Sequence, residues 1–153
     1  MAFTNTNDFL TGRKPIPTSD CLELIATRFT LTLTAADLAL NTIGAIGVLP
    51  AGSIPVALYV DSTDVDSGVA ALILQVGVLD ATSAAFSTET ADGGAVWGET
   101  VASASAFQQQ ILSQPMVSVS AIQADRNIGV KVKVAPTAAL PGTLGLTLLY
   151  YSA

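Results

Sequence analysis

Histidine is absent from this 153-residue chain, and cysteine occurs once, as Cys21. That leaves no imidazole base, no imidazole-held metal, no internal disulfide and no paired-cysteine redox site. Charge is scarce too, at 12% of residues against a usual ~25%. Six residues are basic and twelve acidic, for a net −6. A protein that binds nucleic acid by neutralising phosphates is not expected from that balance. There is no Gly-rich phosphate loop ending in Lys-Ser or Lys-Thr, and no Gly-x-Ser-x-Gly elbow. Long apolar runs are missing as well. The best one, residues 45–60, is broken by Pro50, Gly52, Ser53 and Pro55 and falls short of the ~20 residues a spanning helix needs. Residues 69–79 are shorter still and interrupted by Gln75. Residues 1–11 are polar and lack the basic-then-apolar order of a signal peptide. Neither a membrane, a nucleic acid nor a cofactor is an expected partner, and an enzyme is not expected.

What the chain does have is apolar surface. Half of its residues are hydrophobic, and the mean hydropathy is +0.57. The length suits one domain and can bury ~70% of the extended chain's surface without a staple. With so few charges, the apolar excess must go into a core or into subunit contacts, and a homo-oligomer is the expected state.

Residues 1–20 read as an extended N-terminal arm, and residues 21–153 as a single β domain. In the arm, Arg13 and Lys14 hold a third of the positive charge. Pro15 and Pro17 fix an extended path and remove backbone donors. Such a segment either frays or lies along a neighbouring subunit. Beyond it, period-two alternation dominates. Phe29, Leu31 and Leu33 alternate with threonines. Ile54, Val56, Leu58 and Val60 are expected on one face, with Pro55 marking an edge or a strand start. Val117 and Val119 alternate with serines, and Ile128, Val130, Val132 and Val134 alternate with Gly129, Lys131 and Lys133. Leu144, Leu146 and Leu148 close the series. Residues 69–79 are apolar on both faces, as in a central strand covered on two sides. Residues 35–40 and 83–86 are the places for a helical turn or two. Asp92-Gly93-Gly94 is a hairpin signal. Residues 80–114 read either as two strands joined there, carrying Trp97, or as a loop lying on a partner. Short strands between Pro/Gly turns make an all-β antiparallel sandwich or small barrel.

Few residues carry chemistry. Asp61, Asp64 and Asp66 fall within six positions and could offer oxygen ligands to a hard cation such as Ca²⁺. The commoner reading is a solvated loop whose carboxylates accept backbone N–H groups. Glu89 and Glu99 flank the Asp92-Gly93-Gly94 turn near Trp97, the barest form of a carboxylate pair with a sugar platform. Exposed acids are the ordinary alternative. Cys21 reads as a small hydrophobe at the start of the first strand. Lys131 and Lys133 suit edge protection. Trp97, Tyr150 and Tyr151 are either interface anchors or core filling.

Several segments together carry a resemblance: Ala-Gly-Ser-Ile-Pro-Val-Ala-Leu-Tyr-Val-Asp-Ser-Thr-Asp-Val-Asp-Ser-Gly from Ala51, the apolar run ending Val-Gly-Val-Leu-Asp at Asp80, the Trp97 region, and the terminal Leu-Leu-Tyr-Tyr. From Leu33 onward the chain resembles capsid cement or decoration proteins of tailed bacteriophages. The resemblance implies a jelly-roll-like domain, often trimeric, that binds the outside of an icosahedral head and resists internal pressure. Its partner would be the major capsid protein. It would be made in the host cytoplasm and end on the virion surface. Arg13, Lys14, Pro15, Pro17, Trp97, Tyr150 and Tyr151 are the expected partner-binding residues, with the arm clamping a neighbour. The alternative is a carbohydrate-binding β-sandwich of a phage tail or secreted adhesin, with a groove lined by Trp97.

Overall fold

The computed structural model describes residues 1–17, 23–103 and 105–153. Cys21 and the boundary between residues 20 and 21 lie outside the described residues. Among the described residues there are eight strands: β1 (Ile25–Leu33), β2 (Ile43–Leu49), β3 (Ser53–Ser62), β4 (Ile73–Val78), β5 (Gly98–Glu99), β6 (Phe107–Ile111), β7 (Arg126–Val134) and β8 (Gly142–Ser152). They form two antiparallel four-stranded sheets, ordered β1-β8-β3-β6 and β2-β7-β4-β5. The pairing is nested: β1 with β8, β2 with β7, β3 with β6, β4 with β5. The chain is one long hairpin, wrapped so that successive pairs fall in alternate sheets. The ladders β3–β8 and β4–β7 join the pairs within each sheet. This is the all-β antiparallel sandwich that the alternation implies, open at its edges and not closed into a barrel.

Alternate side chains of each strand meet between the sheets. Phe29, Leu31, Leu33, Leu58, Val60, Leu144, Leu146 and Leu148 face Leu74, Val76, Val78, Ile128, Val130 and Val132 across the core, and all are buried. The outer face of the second sheet is covered as well. Gly77 and Gly129 are cross-strand partners. With no side chain at either position, residues 79–86 fold back so that Leu79 lies on Gly129 and Phe86 on Gly77. The cover is confined to this part of the face: Gln75 of β4 points outward to Glu99, so the strand is apolar on both faces only near Gly77, short of the expectation for residues 69–79. Val69 itself is exposed and precedes the strand.

Three local expectations are corrected. Ile54 and Val56 do not share the face of Leu58 and Val60. A β-bulge between Pro55 and Ala57 inserts one residue against β8, which reverses the side-chain parity. Val56 is left pointing outward, and Pro55 is buried in its place. The ladder with β6 begins only at Leu58, so Pro55 has no strand on that side, the local edge its missing N–H requires. Residues 117–121 are not a strand. Ser113 caps the single helical turn α1 (Gln114–Val117), accepting from Met116 N–H, with Pro115 in its first turn. Asp92-Gly93-Gly94 does not join two strands either. It ends a 3-10 turn (Thr90–Asp92), with both glycines at positive φ. The turn expected near residue 35 is a 3-10 turn, Ala35–Leu38.

Residues 1–17 lie along the open margin between β1 and β2. Met1 C=O accepts from Ile43 N–H at 2.9 Å. The Asn5 and Asn7 amides donate to Thr32 C=O on β1 and Ile46 C=O on β2, at 2.8 and 2.7 Å. Phe3 sits where a side chain on Gly44 would be. Phe9 meets Phe29 edge-on, centroids 4.8 Å apart, and Lys14 lies over the Phe9 ring. Phe9 is half-buried, so Phe9→Ala is expected to lower stability by about 2 kcal/mol. Urea denaturation checks this. An unchanged midpoint would mean that the segment does not rest on the sandwich in solution.

Candidate functional site

The three loop aspartates do not converge. Asp61, on β3, forms a two-pronged ion pair with Arg28 on β1, with Nη2 to Oδ2 at 2.6 Å. That contact holds the Arg28 guanidinium above its ordinary value. Asp64 is exposed. Asp66 is buried and turned toward backbone. It accepts from Gly68 N–H and Ala138 N–H at 3.0 Å, and from Thr137 through both N–H and hydroxyl. Burial alone would raise its pKa, but the hydrogen bonds outweigh burial and hold the carboxyl below its usual range. Among the described residues, no group of three acidic or cysteine side chains is placed to hold a metal. Asp66 instead pins the β3–β4 loop to the β7–β8 loop.

A second carboxylate does the same for the N-terminal segment. Asp37 is buried in the β1–β2 loop. One oxygen accepts from Thr4 N–H and hydroxyl at 2.7 and 2.6 Å, and the other from Thr34 N–H and hydroxyl at 2.7 and 2.8 Å. Burial pushes its pKa up, and these four donors bring it below the ordinary value. Arg13 is exposed, 3.9 Å from Asp8. Pro15 and Pro17 are exposed as well. Pro17 C=O accepts from the Tyr150 hydroxyl at 2.6 Å, which also contacts Thr27. The expected partner residues Pro17 and Tyr150 thus touch each other.

Trp97 and Tyr150 are both 0% exposed. The Trp97 indole N–H donates to Asp92 C=O at 3.1 Å. Its ring offers no free face for a sugar, so the groove that the carbohydrate reading needs does not form around it. Tyr151 is half-buried on the outer face of the first sheet, opposite Ile54. Glu99 accepts from Lys133 at 2.6 Å and from Gln75 at 2.7 Å, and these contacts hold it below its usual range. Glu89 is exposed, next to the Thr90–Asp92 turn. No contact joins the two glutamates among the described residues.

Two charged residues of the interior, Asp37 and Arg126, were not legible in the sequence. Arg126 is 5% exposed at the start of β7. It donates to Ser120 C=O at 2.8 Å, Ser53 C=O at 2.9 Å and Ala91 C=O at 3.2 Å, with Asp92 at 3.5 Å. It binds three loops at the end of the sandwich opposite Asp66. Within Ala-Asp-Arg-Asn it looks like an ordinary turn charge. The long-range partners that bury it have no local signature.

The lowered pKa values of Asp37 and Asp66 fix the sign of the acid response. Each is below the unfolded value of about 3.9. Their contribution is therefore complete above that value and lost as pH falls through the folded one. The melting temperature is expected to hold from neutral pH to about 5 and to drop below about 4. In Asp66→Asn that drop is expected to be shallower. Calorimetry across pH 2–7 checks this. Buried Trp97 is expected to emit at short wavelength and resist iodide quenching, and strong quenching would contradict its placement.

No protein-family model matches the chain, and no curated protein sequence matches it. Solved structures do. The chain is similar to a chain of the capsid of Ralstonia phage GP4, at 26% identity and a TM-score of 0.81, over 97% of both chains. It shares the fold of a chain of the cyanophage Pam1 capsid, at 19% identity and a TM-score of 0.56, over 92% of this chain and 94% of that one. Both neighbours are parts of phage capsids, which supports a structural component of the virion.

Proposed function

We propose that the chain is a capsid cement protein: a non-enzymatic virion protein that trimerises, binds the outer surface of an icosahedral phage head through the major capsid protein, and stabilises it. One observation carries the reading. A chain of a phage capsid matches this one over 97% of both lengths with a TM-score of 0.81. The likeness therefore covers the whole sandwich and its N-terminal segment, not a shared motif. The nested pairing supports a jelly roll, a fold used for viral capsid domains. The disposition of reactive groups fits as well. Asp37, Asp66, Glu99 and Arg126 are engaged in holding loops and strands. Arg13 and Lys14 stay at the surface of the N-terminal segment. In this reading they meet acidic groups of the coat protein at the margin of the contact.

The test mixes the purified full chain with shells assembled from the major capsid protein alone. Co-sedimentation at saturating ratio and a higher shell melting temperature are expected. Light scattering on the free protein is expected to give a trimer mass near three times 15.6 kDa. Arg13→Glu with Lys14→Glu is expected to weaken shell binding by about tenfold, most visibly at low salt. A protein that never sediments with shells is not a cement protein.

A further inference from the structure

We propose that β6 is a strand-addition edge, and that it pairs antiparallel with β6 of a second copy of this chain about a two-fold axis through Gln109. The contact goes beyond the cement reading and does not depend on it. A two-fold pair cannot build a trimer, so in a trimeric protein it is a second contact, joining one trimer to the next.

The two sheets end in β1 and β6, and in β2 and β5. Residues 1–17 lie over β1 and β2. β5 is two residues long, and the rest of the outer edge of β4 accepts from Ser87, Trp97 and Thr100 N–H, each at 2.8 Å. β6 is different. It pairs with β3 through all five of its residues, with no register shift. In an antiparallel ladder the N–H and C=O groups of a strand turn alternately to its two sides. Among the described residues, no strand and no loop backbone pairs with β6 on the side away from β3. The Gln109 side chain is occupied elsewhere. Its oxygen accepts from Val101 N–H at 2.8 Å, and its amide donates to Glu99 C=O at 3.3 Å.

Open edges are ordinarily guarded by a charge, a proline or a bulge. β6 has none of these. Residues 100–124 contain no Asp, Glu, Lys or Arg, and no proline falls within 107–111. An unpaired ladder accepts an extended backbone, and the side chains say whose. Phe-Gln-Gln-Gln-Ile has an apolar residue at each end and three amides between, in either direction. Antiparallel pairing centred on Gln109 sets Phe107 opposite Ile111, Gln108 opposite Gln110, and Gln109 opposite itself. Gln108 and Gln110 are exposed, so their amides bond across the pair as stacked glutamines do. Leu112 is 65% exposed at the end of the strand, and this register sets it opposite Ala106 of the second copy. A slip by two residues sets Phe107 against Gln109 and loses the match. Five residues make a small contact, weak between free copies and cumulative where copies are already held side by side.

The test follows the mass of the full chain by sedimentation equilibrium at up to about 1 mM. The average mass is expected to climb with concentration, and amide exchange at residues 107–111 to slow with it. Gln108→Lys with Gln110→Lys opposes lysine to lysine twice, and is expected to raise the half-association concentration by about tenfold. Gln108→Lys with Gln110→Glu opposes lysine to glutamate twice, and is expected to associate at least as well as wild type. Whole-molecule charge predicts the reverse order, because two added lysines bring the net −6 nearer to neutrality. Both positions are exposed, so the melting temperatures are expected to match wild type. If a variant fails to fold, exchange in the wild-type chain decides. A mass that never rises above the smallest species, exchange at 107–111 that ignores concentration, or two folded variants that associate alike overturns the proposal. Shell binding is not read in this test, so its failure leaves the cement reading standing.

Discussion

β8 is the strand on which the sandwich depends. It is hydrogen-bonded to β1 along one side and to β3 along the other, and Leu144, Leu146, Leu148 and Tyr150 along it are all 0% exposed. Two of the three ladders of the first sheet are its own, the third being β3 with β6. Because the chain is a nested hairpin, β8 must find a partner that left the chain more than a hundred residues earlier, at Ile25↔Tyr150. Non-local pairing of this kind folds slowly, since the loop entropy is lost before the contact forms. The margins left by the nesting, β1 and β2, are covered by residues 1–17 through side-chain bonds from Asn5 and Asn7. An edge strand covered by side chains is no template for another strand.

The parts of this fold legible in sequence are those where one residue's role is decided by its immediate neighbours. Alternation in β1, β7 and β8 placed Phe29, Leu31, Val130, Val132, Leu144 and Leu146 inward, and all of them are buried. Alternation failed in β3, where one inserted residue reversed parity for Ile54 and Val56. Nothing local announces a bulge that the partner strand imposes. It failed again at residues 117–121, where four or five residues of alternation were outweighed by the Ser113 cap and Pro115. For the candidate site, the plain reading of Asp66 as an acceptor of backbone N–H groups matches its surroundings. Its actual partners, at Thr137 and Ala138, are 71 and 72 residues away. Trp97 and Tyr150 could equally fill a core or anchor a contact. Only the meeting of the sheets around them decides for burial.

Scarcity of charge gives the remaining charges a particular use. Asp37 ties the N-terminal segment to the β1–β2 loop, Asp66 ties the β3–β4 loop to the β7–β8 loop, and Arg126 ties the loops carrying Ser53, Ala91 and Ser120. Each is a buried ion whose hydrogen bonds replace water, completely at the two carboxylates and at all but the Nε of Arg126. An apolar residue at any of the three would fill the volume but leave several N–H or C=O groups unpaired. The ties fall on loops and strand ends, because the ladder already satisfies the backbone within strands while loops have no partner of their own.

That placement also decides how well ordered the loops are before any contact. Loops fixed before contact lose less entropy on binding than mobile ones of equal size. Asp66 holds the β3–β4 and β7–β8 loops, and Asp37 the β1–β2 loop. Both carboxylates face inward, which keeps their charge off the surface where an unpaired ion would oppose docking. The two groups therefore act through a single geometric fact: each takes up the N–H groups of the loops it holds.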